Sequence, residues 1–123
     1  FSPDAMAASM CVFEEAGARA YREFSALAYE GQPVESDTVD TTTYVDWADE
    51  AGAPGTADCI RGRPFRDWVT EATEQVFAQP DREGTKLSGT PTVWVDGTTL
   101  QGVAGAYPTT EELAAAVAGA QTR

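Results

Sequence analysis

A chain of 123 residues with 8 basic and 20 acidic side chains carries a net charge of −12 and has no histidine. That length suits one folding unit, and that charge repels phosphate backbones and anionic membrane surfaces, which sets nucleic acid aside as a partner. No apolar run approaches the roughly 18 residues that a membrane helix needs, and two isolated cysteines without histidine remove a Cys/His nucleophile pair, a Ser-His-Asp triad and an ordinary structural zinc site.

The first segment, SPDAMAASMCVFEEAG, reads as a helix with Ser2 as N-cap, Pro3 at the first helical position, Asp4 in the first turn and Gly17 near its end. Met6, Met10 and Phe13 fall on one face. In ARAYREFSALAYEG, Tyr21, Phe24, Leu27 and Ala28 repeat the helical spacing until Gly31 and Pro33 stop it, so the two helices should form a hairpin or a bent pair. QPVESDTVDTTT has turn formers and acidic residues without periodicity and reads as a surface loop. TYVDWADEAG follows as a short helix, with Tyr44, Trp47, Ala48 and Ala51 inward and Gly52 as its stop.

After APGTADCIRGR, the spacing predicts a helix from Pro64 to Ala78. Its apolar stripe is Phe65, Trp68, Val69, Ala72, Val76 and Phe77, opposite Arg66, Glu71 and Glu74, and Pro80 ends it. The charged PDREGTK then returns the chain to the surface. In SGTPTVWVDGTTLQG, a turn and Pro91 lead into the apolar strand TVWV. Asp96-Gly97 suits a type I′ hairpin turn, with TTLQ as the second strand. Thr109 with Glu112 makes a capping box for a last helix, Thr110 to about Ala118. Two strands alone are marginal in water, and a strand as apolar as TVWV expects neighbours on both sides.

Several residues have bland readings. Glu14-Glu15, Asp49-Glu50 and Glu111-Glu112 are adjacent on helices, so their carboxylates diverge and suit a solvated face better than acid/base work. Trp47, Trp68 and Trp94 lie on apolar stripes or in the strand, which favours core packing over a peptide groove. GTKLSG lacks the Gly-Lys-Ser/Thr ending of a phosphate loop. Pro91 can lead into a strand or occupy a cis bond in a specified turn. The spacing of Cys11 and Cys59 leaves two buried thiols and a disulfide equally open.

SGTPTVWVDGTTLQG resembles the cis-proline loop and closing hairpin of the DsbA-like branch of the thioredoxin superfamily. AMAASMCVFEEAG and AYREFSALAYEGQP are similar to the start of that family's inserted helical domain, and YVDWADEAG, ADCIRG and PFRDWVTEATEQ follow in the family's order. The resemblance covers nearly the whole chain. It implies an α/β, partial thioredoxin-like (DsbA-type) fold, with a helical insertion domain over residues 1–79 that includes helix 64–78, then a β-hairpin and C-terminal helix over residues 80–123.

In function, the resemblance implies part of an extracytoplasmic, bacterial thiol-disulfide oxidoreductase that forms or isomerises disulfides in exported proteins. By it, Pro91 matches the cis-proline and Thr90 the residue before it, whose backbone pairs with an extended, cysteine-containing substrate peptide by strand addition. It also implies a structural disulfide between Cys11 and Cys59, which on a chain-entropy estimate would stabilise by roughly 4 kcal/mol and suits an oxidising compartment.

The departure is that the family's reactive Cys-x-x-Cys is absent. No catalytic residue, metal or cofactor is therefore expected in this chain. The thiolate chemistry is expected from a segment preceding Phe1, and the chain alone should be redox-inert. An exposed edge of the TVWV strand would favour self-association. The alternatives are a non-catalytic peptide- or protein-binding module of the same fold, and a glutathione-dependent isomerase or kappa-type transferase relative.

Overall fold

The computed structural model describes residues 2–34, 37–102 and 106–122. Among them are five helices and a small two-stranded antiparallel sheet, a mixed α/β class. In chain order these are α1 (Ser2–Glu30), α2 (Thr41–Glu50), a 3₁₀ turn (Pro54–Thr56), α3 (Ala57–Gly62), α4 (Arg66–Ala78), β1 (Trp94–Val95), β2 (Thr98–Thr99) and α5 (Thr110–Gln121). Length alone suggests one folding unit, yet internal contacts gather into two, Phe1–Ala72 and Thr73–Arg123. The division expected at residues 79 and 80 falls inside the second.

The first unit is helical. Its longest element, α1, is interrupted at Gly17, whose φ of 76° and ψ of −170° are non-helical. That region is open only to a residue without a side chain. The two arms lie side by side from there: Ser2, Met6 and Ser9 of one and Tyr21, Phe24 and Ala28 of the other line a shared cleft of about 360 Å³. Phe13 meets Tyr21 edge to face at 6.0 Å across the bend.

Small side chains let these helices approach closely. Ala5, Ala8, Cys11 and Val12 of the first arm pack with Ala20, Phe24 and Ala28 of the second, Tyr44 and Ala48 of α2, Ala53, and Ile60 of α3. Phe24 and Val12 are fully buried, each worth about 1.5–3 kcal/mol relative to exposure. Trp47 sits at the rim of this cluster, edge-on to Phe24 at 6.5 Å and to Tyr44 at 5.7 Å.

Helix α2 begins earlier than the periodicity suggests because Asp40 caps it. The carboxylate accepts from the Thr42 amide at 2.8 Å and the Thr42 hydroxyl at 2.6 Å. The helix ends as expected at Gly52, whose N–H donates to Asp49 O while the Ala53 N–H donates to Ala48 O, a Schellman closure. Cys11 of α1 and Cys59 of α3 form a disulfide, with their Cα atoms 5.9 Å apart. Asp4, in the first turn of α1, accepts a hydrogen bond from Arg66 and pairs with Arg63 Nη1 at 3.8 Å, fastening α1 to the α3–α4 junction.

Helix α4 starts at Arg66, after a turn at Pro64 and Phe65. Its apolar stripe is not the buried face that the spacing suggests. Val69 is buried and Phe65 packs on the helical core, but Trp68 is 55% exposed, Val76 45% and Phe77 42%. The core placement of Trp68 is therefore corrected: a 3.6-residue spacing aligns side chains on a face without supplying what covers it.

In the second unit, β1 and β2 pair as Trp94 with Thr99 and Val95 with Thr98. Asp96 and Gly97 have φ of 49° and 77°, the double positive φ that a type I′ turn requires. The strands are shorter than TVWV and TTLQ, although Leu100 N–H donates to Val93 O at 2.8 Å and adds a rung. Val93, Trp94 and Val95 are half-buried, not enclosed on both faces as the apolar run suggests. Gly102 is the only buried residue among those described from 73 onward. Helix α5 carries the expected capping box, with Thr109 Oγ1 accepting from the Glu112 amide and Glu112 accepting from the Thr109 amide.

Candidate functional site

The segment around Thr90 and Pro91 is positioned from both ends. Upstream, a tight turn is closed by an antiparallel bridge between Pro80 and Lys86 and by the Asp81 N–H donating to Thr85 O at 2.8 Å. The Asp81 carboxylate organises it further. One oxygen accepts from the Glu83 and Thr85 amides at 2.9 and 2.7 Å, and the other from the amide and hydroxyl of Thr99 at 3.0 and 2.6 Å. Arg82 adds a backbone bond to Gly97 O at 2.7 Å and an ion pair with Asp96 at 3.0 Å. The turn is thus clasped against β2 and the hairpin tip.

That clasp also sets the charge state of Asp81. The Thr99 hydroxyl chiefly, with the Thr85, Thr99 and Glu83 amides, holds its carboxyl below the usual carboxylate range.

Downstream, the Thr90–Pro91 peptide bond is cis. Both residues are exposed and stand just before β1. Thr92 anchors the loop from within, its hydroxyl donating to Gly89 O at 2.6 Å. Trp94 presents a buried Nε1 that finds no acceptor among the described residues.

The structure therefore brings Thr90 and Pro91 together as one exposed backbone step at the head of a strand. Cys11 and Cys59 belong to the other unit and are bonded to each other, so neither offers a thiolate. Tyr44, buried in the helical core, has its hydroxyl pushed up by desolvation and by the charge of Asp4, partly offset by Arg63. Glu14, Glu15, Asp49, Glu50 and Glu111 are exposed, while Glu112 serves the α5 cap.

Among the described residues no group of histidine, cysteine, aspartate or glutamate side chains is placed to hold a metal ion, and no helix is long and apolar enough to cross a membrane. Chemically, the loop can present N–H and C=O groups to an extended chain.

Sequence reasoning missed Asp81. The local signal was present, since an aspartate followed by Gly84 and Thr85 favours a side-chain-closed turn, but its second partner, Thr99, lies 18 residues on. In comparison with known proteins, the chain matches no family model, no curated protein and no solved structure.

Proposed function

We propose that this chain is the helical insertion and C-terminal ββα part of a DsbA-like, thioredoxin-fold protein, and that its parent is a thiol-disulfide oxidoreductase acting on cysteines of exported proteins. The observation that carries this reading is the succession within the second unit. An exposed Thr90-Pro91 step leads into a two-strand hairpin with a type I′ turn and then a capped helix, after a helical unit closed by its own disulfide.

Thr90 and Pro91 would form the shelf on which an extended substrate peptide lies, adding as a strand by main-chain hydrogen bonds. The exchange itself needs a thiolate, and the two cysteines of residues 1–123 are already bonded to each other. The reactive pair therefore belongs to another part of the parent. The disulfide favours an oxidising, extracytoplasmic setting. The half-buried TVWV strand and the partly exposed apolar residues of α5, Leu113 and Val117, fit a sheet that further strands complete.

The deciding experiment reads the coding sequence upstream of Phe1. A strand-like run followed by Cys-x-x-Cys supports the oxidoreductase reading. A start codon or an unrelated segment removes it and puts a peptide-binding module in its place, a reading favoured by the absence of a free cysteine. On either reading the 123-residue chain gives no insulin reduction and no oxidative RNase refolding above a cysteine-free control.

A further inference from the structure

The β1–β2 ribbon has two outer edges, and they differ. In an antiparallel pair, residues whose N–H and C=O meet the partner strand alternate with residues whose groups point away. Because Leu100 N–H donates to Val93 O, the outward-pointing pair is the next one, Trp94 on β1 and Thr99 on β2. On the β2 side the outward N–H of Thr99 is taken by the Asp81 carboxylate at 3.0 Å. The turn that carries Asp81 covers that edge, with Arg82 N–H bonded to Gly97 O. On the β1 side, no described residue bonds the outward N–H or C=O of Trp94.

We propose that the β1 edge is a self-pairing surface, on which two copies of this chain join β1 to β1, antiparallel, about a two-fold axis at Trp94. The product is a four-stranded sheet in the order β2-β1-β1-β2. A two-fold axis there places Trp94 opposite its own image. Each copy's N–H donates to the other's C=O, so donors and acceptors match with no third chain.

Charge favours the same place. From Leu87 to Val95 the sequence carries no charged residue, in a chain whose net charge is −12, so this edge is where two acidic copies can meet without like charges opposed. The Asp81 clasp then limits the assembly to two, since pairing consumes the open edge of each copy and the other edge is closed. This inference concerns the 123-residue chain: in the parent of the oxidoreductase reading, the strands that complete the sheet would take this same edge.

Sedimentation equilibrium of the 123-residue chain tests it. We expect a monomer–dimer equilibrium that tightens as ionic strength rises from about 0.01 M to about 1 M and the Debye length falls from about 30 Å to about 3 Å. Trp94→Pro removes the outward N–H while leaving the β1–β2 hydrogen bonds unused by that residue, and the dimer is lost. Asp81→Ala opens the β2 edge, and dimers give way to open-ended oligomers. As a check independent of folding in the variants, hydrogen exchange at the wild-type Trp94 amide slows as protein concentration increases. A monomer at every concentration and salt, a folded Trp94→Pro variant that still dimerises, Asp81→Ala stopping at the dimer, or a Trp94 amide whose exchange ignores concentration each overturns the proposal.

Discussion

The carboxylate of Asp81 gathers bonds from Glu83, Thr85 and Thr99, and this makes part of the second unit's stability acid-sensitive. Its folded pKa is depressed, chiefly by the Thr99 hydroxyl. The contribution is therefore fully present above the ordinary carboxylate range of the unfolded chain and is lost as pH falls through the lowered folded value. The Thr99 amide resonance, followed by NMR through an acid titration, should move with a midpoint below that of an ordinary aspartate; a midpoint at or above it would contradict the clasp. Trp94 makes the opposite case, a buried donor with no acceptor among the described residues. Leaving such a group unpaired costs about 1–3 kcal/mol, enough to offset the smaller area of a phenyl ring. Trp94→Phe is thus expected to leave the denaturant midpoint unchanged or raise it, and a clear drop would show that the indole nitrogen has found a partner. Neither residue announced its role in the sequence. An aspartate in a charged turn and a tryptophan in a strand acquire these properties only when Thr99 and the packed sheet arrive beside them.

At the level of elements, the parts that were legible are those whose determinants lie within a few residues. The type I′ turn at Asp96-Gly97, the Thr109–Glu112 capping box and the Gly52 stop all stand where the sequence places them, because each is a bond or a backbone angle set locally. The bend at Gly17 belongs with them, and it can be tested. An added Cβ there meets nothing within 4 Å, so any penalty for Gly17→Ala comes from the backbone alone, about 1–3 kcal/mol for that conformation. The expected result is a lower Tm for the helical unit by circular dichroism; an unchanged Tm would mean that the two arms do not need the bend. The face of α4 was not legible in the same way. Its stripe is continuous in sequence, yet Val69 is buried while Trp68 is exposed, a difference made by neighbours that no spacing rule contains.

Across the whole molecule, two units of different character share one chain. The helical unit has a core of alanines closed by Phe24, Val12 and Tyr44 and stapled by Cys11–Cys59; the second has a clasped hairpin, a capped helix and little buried surface among its described residues. Reduction should separate them. With the cysteines 48 positions apart in sequence, losing the cross-link is expected to cost about 4 kcal/mol on the chain-entropy estimate, and the cost falls on the unit that contains it. Helical ellipticity should melt at a lower temperature in dithiothreitol, while the Thr99 amide of the second unit keeps its exchange rate. A shared loss would show that the units unfold as one.

The same cross-link changes what a protease could do to this protein. The stretch between α1 and α2 includes the exposed Val34, and any single cut between residues 11 and 59 falls inside the loop that the disulfide closes. The two pieces would stay covalently joined, migrate as one species without reductant and part only when it is added. A nicked molecule would thus keep α1 tethered to α3, and its helical core could persist with an interrupted backbone.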